Sequence, residues 1–101
     1  MAVTVTFGAF EWDKAKEEHN IVLHGVDFYT AALAFLDSDR IIAVDERHSQ
    51  GEPRYFCIGL IGKKIATVRF TRRGKRIRIL GAGYWRKGGK FYEKENSKKS
   101  R

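Results

Sequence analysis

Residues 45–55, DERHSQGEPRY, place acids, an imidazole, a hydroxyl and two guanidinium groups between apolar segments. Three chemistries use such residues. His48 or Glu52 can move protons, Arg54 can hold an anion, and Asp45, Glu46 and Glu52 can ligate a hard cation. A fourth reading is a hydrated connection between two strands. The metal reading finds little support elsewhere in the chain. His19 and His24 lie five residues apart and do not share a helix face, His48 is the third histidine, and Cys57 is the single cysteine. No zinc spacing results, the three acids carry no magnesium signature, and no phosphate loop or dinucleotide fingerprint occurs. Neither a metal nor a cofactor is expected.

Anion recognition is better supported. In KIATVRFT, residues Ala66, Val68 and Phe70 alternate with Thr67, Arg69 and Thr71, so the two sets point to opposite sides of a strand. In KRIRIL, Ile77 and Ile79 point in while Arg76 and Arg78 point out. Arg69, Arg76 and Arg78 then converge on one sheet face, with Arg72, Arg73 and Lys75 at its rim. Guanidinium groups on a rigid sheet suit bidentate phosphate recognition. The competing reading is a solvated face paired with acids, and acids are scarce there. Residues 51–101 hold sixteen Lys/Arg against three Asp/Glu, a balance of +13, whereas residues 1–50 hold four against nine, a balance of −5. The basic half calls for an anionic partner, a nucleic acid or an acidic protein. Tyr84 and Trp85 beside Arg86 and Lys87 either stack nucleobases or pack the chain end onto the core.

These side chains need a sheet to hold them. VTVTFGAF has the two-residue period of a strand. Asp13 offers an N-cap for a helix through KAKEEHNIVLH, and Gly25 stops it. Asp27 caps a second helix whose Phe28, Ala31, Ala32, Phe35 and Leu36 form one apolar stripe. RIIAVD, RYFCIGLI, KIATVRFT and KRIRILGAG read as strands, the middle pair joined by a Gly62-Lys63 turn. Residues 84–93 fit a short helix weakened by Gly88 and Gly89. The order is β-α-α-β-β-β-β, an α+β fold with an antiparallel sheet, two N-terminal helices on one face and the other face open. Arg54 shares the parity of Phe56 and Ile58, the expected core side, so a bulge or twist has to re-aim it.

At 101 residues the chain bounds a single domain with one modest core. One cysteine excludes an internal disulfide and fits a reducing, cytoplasmic setting. Cys57 lies in the apolar run YFCIGLI and reads as a buried, inert thiol. No apolar run reaches eighteen residues, so no membrane span is expected.

In this order and spacing, FEWDKAKEEHN, HGVDFYTAALAFLDSD, DERHSQGEPRY, IGLIGKKIATVRFTRRGKRIRIL and FYE resemble the BrnT family, ribonuclease toxins of bacterial type II toxin–antitoxin pairs. The resemblance implies a RelE-like domain, set at residues 1–95, and the ending NSKKSR, without an apolar residue, reads as a basic mobile tail over 96–101. Its motifs place Trp12-Asp13 and His24-Gly25 at the ends of the first helix. They match His48, Ser49, Glu52 and Arg54 in the polar stretch, Val68, Phe70 and Thr71 in one strand, and Arg78 in the last. Three positions depart from the pattern: Leu23 stands where a lysine usually precedes His-Gly, Gly83 where an arginine is usual, and Gly88 where a glutamate is common.

The implied activity is metal-independent RNA cleavage, by attack of a ribose 2′-hydroxyl on the adjacent phosphorus, which arrests translation and growth. His48, Glu52, Arg54 and Arg78 are the implied catalytic set, His24 and Thr71 are secondary candidates, and the residue pattern above adds Arg69, Arg72, Arg76 and Tyr84 as contacts to RNA and phosphate. The implied partner is an antitoxin of the BrnA type with a ribbon-helix-helix segment, and operator DNA is met only through that complex. Each position also has a structural reading: Asp13 and Asp27 as helix caps, Trp12 as core, His24 as a cap or packing group, and His48-Ser49 as turn hydrogen bonds. The competing function is a non-catalytic basic module that binds an acidic protein or nucleic acid.

Overall fold

The computed structural model describes residues 2–49 and 51–99. The opening segment is two strands rather than one. Gly8 turns the chain with φ of 59°, which a side chain would resist. Thr4–Phe7 (β1) therefore folds back antiparallel on Phe10–Asp13 (β2). Lys14–His24 (α1) and Phe28–Ala32 (α2) follow, the latter tightening into a 3-10 turn over Leu33–Leu36. The sheet resumes with Ile41–Val44 (β3), Arg54–Ile61 (β4), Lys64–Arg73 (β5) and Arg76–Gly83 (β6), and Arg86–Ser97 (α3) closes the fold.

The six strands run in the order β1-β2-β6-β5-β4-β3. The expected element order and the all-antiparallel sheet are thus corrected. β2 pairs parallel with β6, so the sheet of this α+β fold is mixed. No local pattern announces that pairing, because its partners, such as Phe10 and Ile77, lie 67 residues apart.

The expected caps form. Asp13 Oδ1 accepts from the Ala15 and Lys16 N–H groups, Asp27 accepts from the Thr30 N–H, and Gly25 ends α1 at φ of 70°. The core lies between α2 and the sheet face carrying Trp12, Cys57, Val68, Phe70 and Ile79, all essentially buried. Gly59 admits the 3-10 turn, since a Cβ there would lie 2.4 Å from the Ala34 carbonyl oxygen. The stripe on the second helix holds for Phe28, Ala31 and Ala32 but not for Leu36, which is 77% exposed. Tightening to three residues per turn swings that last position outward.

The only α1 side chains that become buried are Glu17 and Asn20. Glu17 accepts from Trp12 Nε1 at 3.0 Å and from the Phe28 N–H at 2.9 Å. Asn20 acts as a strand substitute. β2 stops at Asp13, which leaves Ala82 of β6 without a neighbour on that side. The Asn20 amide donates to the Ala82 carbonyl at 2.9 Å and accepts from its N–H at 3.1 Å. This pins α1 beside the sheet at a fixed height.

The second sheet face is not open along its length. α3 packs on it through Gly88, where a Cβ would lie 2.0 Å from Thr67 Oγ1. The glycine that weakens the helix locally is what lets it approach. Tyr92 donates to Asp37 Oδ2 at 2.6 Å, and Asn96 Nδ2 donates to the Asp39 carbonyl at 3.1 Å. Asn96 and Ser97, expected at the head of a mobile tail, are the last turn of α3. Ser100 and Arg101 of that tail lie outside the described residues. Among the described residues no helix is long and apolar enough to cross a membrane.

Candidate functional site

Register assembles three rows of residues across β6, β5 and β4 on the face opposite α2. Arg78, Thr71 and Arg54 form the first row, Gly81, Arg69 and Phe56 the second, and Gly83, Thr67 and Ile58 the third. Arg54 thus shares a face with Phe56 and Ile58 as parity demands, but that face is the outer one. Tyr55, Cys57 and Gly59 turn to the core, so no bulge has to re-aim Arg54. The expected core side of this strand is corrected.

Each row has a different fate. α3 covers the third. In the first, Arg78 is paired with Glu11 Oε2 at 2.7 Å with both side chains 15% exposed, and Thr71 Oγ1 donates to the Pro53 carbonyl. Above the second row lies a cavity of about 680 Å³, walled by Lys16, His19, Leu23 and His24 of α1 and by Trp85. Arg54 and Arg69 line its floor.

Arg54 and Arg69 differ from the other cations of this face. The Nε of each is buried and has no hydrogen-bond partner, and among the described residues neither forms an ion pair. Arg69 lies across Gly81, where an added Cβ would stand 3.8 Å from its Nη2. The one carboxylate on the cavity wall, Asp13, already accepts two helix N–H groups. Both side chains are half-buried and line the cavity, with no carboxylate paired to them among the described residues, a setting that favours an anionic ligand.

The stretch DERHSQGEPRY forms a brace for Arg54 rather than the wall of a pocket. Asp45 is 3% exposed, and its carboxylate meets His48 Nδ1 at 3.1 Å. Ser49 Oγ donates to the Asp45 carbonyl and accepts the Arg54 N–H, and the Asp45 N–H donates to the Arg54 carbonyl. Glu52 pairs with Arg73 at 3.3 Å. Neither His48 nor Glu52 lines the cavity. Gln50 of this stretch lies outside the described residues.

The remaining expected ligands disperse. Arg76 donates to the Gly8 carbonyl at 2.8 Å, which ties it to the β1–β2 turn. Arg72 pairs with Ile77 in the register of the core face and is exposed at the hairpin end. Tyr84 stands outside the cavity, beneath Lys64 Nζ at 5.1 Å. His24 is in the cavity, packed edge-on against Trp85 with 5.0 Å between ring centroids.

His19 is the residue that sequence reasoning missed. Its five-residue spacing from His24 argues against a shared helix face and so against a metal site. Both nevertheless line one cavity, because His24 is the last residue of α1. The usable signal was Asp13 with Gly25, which fixes the ends of the helix and so the level of each side chain on it.

The three departures gather at this site. Leu23 lines the cavity as an apolar patch. At Gly83, a Cβ would lie 2.6 Å from the Trp85 indole. Gly83 and Gly88 together let Trp85 and α3 sit down on the sheet and close one end of the cleft. Cys57 takes no part, since burial pushes its thiol up to about 12. Among the described residues no three His, Cys, Asp or Glu side chains gather as a metal site. The cavity can therefore grip a phosphodiester between Arg54 and Arg69 and present two imidazoles to it. A family model described as ribonuclease toxin, BrnT, of type II toxin–antitoxin system matches residues 12–88. No curated protein matches the chain.

Proposed function

This chain belongs to the BrnT family, the ribonuclease toxins of type II toxin–antitoxin systems, and on that premise we propose that the cleft between α1 and the sheet is its RNA-cleaving site. The family implies an RNA target and an antitoxin protein partner. The observation that carries the placement is the pair of half-buried arginines, Arg54 and Arg69, whose Nε atoms are buried without a hydrogen-bond partner and which line one cavity with His19 and His24.

In the proposed reaction, a ribose 2′-hydroxyl attacks the adjacent phosphorus and the 5′-oxygen leaves, which gives a 2′,3′-cyclic phosphate. RNA supplies its own nucleophile, so the chain must hold the phosphate, stabilise the pentavalent charge and move two protons. Arg54 and Arg69 clamp the non-bridging oxygens. His19 and His24 are the proton-transfer pair, with His24 held by the edge of Trp85. Lys16 adds positive charge at the rim. Arg78, balanced by Glu11, holds the first row in register. His48 and Glu52 act through the loop that fixes Arg54.

No metal ion enters this scheme. The domain is read as RelE-like, and its antitoxin as a ribbon-helix-helix protein of the BrnA type that covers the basic face. Incubation of purified protein with RNA in excess chelator tests the mechanism. Fragments ending in 2′,3′-cyclic phosphate are expected, and a single 2′-deoxy substitution at the cut site should prevent cleavage. Cleavage that needs magnesium overturns the mechanism. One observation favours a module that binds without cutting: apolar Leu23 stands where the family pattern has a lysine. That alternative predicts salt-sensitive RNA binding with the RNA left intact.

A further inference from the structure

Trp85 lines two cavities. Beyond the cleft lies a second groove of about 470 Å³, bounded by Lys64, Tyr84, Trp85, Arg86, Lys90 and Glu93. Its aromatic residues are open to solvent, Tyr84 at 38% and Trp85 at 45%, although both lie at the end of a buried strand. The indole is held in place by the backbone of Gly83 beneath it and by His24 at its edge. A side chain at position 83 would push it out. The groove holds three cations, with Glu93 as the one acid on its wall.

The charges also run against the needs of the helix. α3 begins at Trp85 with no side-chain cap and no acid in its first turn, and Arg86 and Lys87 stand at that positive end. Cations there oppose the helix dipole, and an anion in the groove would relieve them. Alternating cations and exposed aromatic rings suit single-stranded nucleic acid, because each nucleotide brings a phosphate and a stackable base. An acidic peptide would use the cations and leave the ring faces unused.

We infer that the second groove is a subsite for the RNA strand leaving the cleft, which rests on the reading that the cleft takes the scissile phosphate. A flanking base stacks on Trp85 or Tyr84, and the next two phosphates meet Lys64, Arg86 and Lys90. Substrate recognition then extends past the dinucleotide that is cut, and Trp85 is the shared wall between reaction and binding.

The test measures binding, so that its outcome separates from that of the cleavage assay. Uncleavable 2′-O-methyl oligouridylates of two and six nucleotides are titrated against the protein while tryptophan emission is followed. Trp12 is fully buried, so quenching reports on Trp85. The hexamer should bind at least about tenfold tighter than the dimer and quench emission, in keeping with one or two added stacking contacts. The double substitution Lys64→Glu, Lys90→Glu, at exposed positions, should remove that length gain. It should also flatten the salt dependence of hexamer binding by about 1.4, the value for two phosphate contacts on a single strand. Trp85→Phe should keep the length gain and Trp85→Ala should lose it, with both variants titrated by calorimetry because the reporting indole is gone.

Equal affinity for dimer and hexamer in the wild type overturns the inference, as does a length gain that survives the double substitution. Quenching by an acidic peptide but not by the hexamer overturns it too and assigns the groove to a protein. If the wild type binds by length but never cuts RNA, the cleavage reading fails and the subsite stands. If it cuts RNA without a length gain, the reverse holds.

Discussion

Two regions of this molecule are rich in the residue types of active sites, and they treat those residues in opposite ways. In the loop between β3 and β4 the polar side chains named above answer one another: Asp45 meets His48, Ser49 meets Arg54 through its backbone, and Glu52 meets Arg73. In the cleft beside α1, Arg54 and Arg69 keep buried Nε atoms with no partner. The loop satisfies its own polar groups, whereas the cleft turns two arginines toward open space. Residue type does not separate scaffold from site here. Whether the charged groups are paired does.

The sharpest way to break that comparison is to remove one member from each side. Arg69→Ala should lower the rate of RNA cleavage by roughly 10² to 10³, the loss seen when one donor to a developing oxyanion is removed. Its thermal stability should change little, because among the described residues Arg69 forms no ion pair to lose. His48→Gln should do the reverse, costing about 1 kcal/mol of stability for one hydrogen bond while leaving the rate within a few-fold. Kinetics and thermal denaturation on the same samples decide this. A His48→Gln variant that is stable but inactive would return catalysis to the loop.

Next comes the wall that sets the cleft's height. Asn20→Ala removes an amide that bonds Val26 and both backbone groups of Ala82. Leaving those buried groups unpaired should cost about 2 to 3 kcal/mol in urea denaturation. Cleavage should also fall, since α1 carries His19 and His24. A stable, active Asn20→Ala protein would show that α1 is held in some other way.

The legibility of this fold in the sequence follows the same division. Asp13, Asp27 and Gly25 announce their caps because a cap is a local hydrogen-bond demand. The β4–β5 and β5–β6 hairpins were legible because alternation and a glycine turn are also local. Strand β2 was not, because FEWD is too short to show a period and pairs in parallel with a strand far along the chain. The outer face of β4 was misassigned because Phe56 and Ile58 look like core, and only the register with Arg69 and Thr67 shows that they line the cleft and the bed of α3. Arg54 and Arg69 were legible as cations, but their lack of partners was not, since that depends on which acids lie nearby in space.

Gly88 offers a smaller and more discriminating test. Gly88→Ala places a methyl group against Thr67 Oγ1 and should cost about 1 to 3 kcal/mol by overpacking. Thr67 Oγ1 is itself buried without a partner, so Thr67→Ala alone should be nearly neutral. In the double variant the hydroxyl is gone and the helix gains alanine's propensity, about 0.5 to 1 kcal/mol over glycine. A double-mutant cycle should therefore give a coupling of at least about 1 kcal/mol. Simple additivity would mean that α3 does not rest on this contact.

The smallest expected effect lies in the one fully answered carboxylate beneath α3. Burial pushes Asp37 upward, but hydrogen bonds from the Leu60 N–H, the Tyr92 hydroxyl and the Asp39 N–H, together with the charge of Arg40, outweigh it and hold the group below its ordinary 3.8. A folded value below the unfolded one stabilises the protein above that range, and the contribution is lost as pH falls through the lowered value. Tyr92 moves the other way. Burial first, then the bond to Asp37, raises its hydroxyl above the ordinary 10.0, so its share is present at neutral pH and is lost as pH climbs past 10.0. Tyr92→Phe should therefore cost roughly 1 kcal/mol near neutrality and shrink the loss at both extremes. Cleavage by the folded protein should be little changed, because neither group lines the cleft. Stability curves that kept their full acid and alkaline limbs in Tyr92→Phe would locate the pH dependence elsewhere, and α3 would then rest on Gly88 and Asn96 instead.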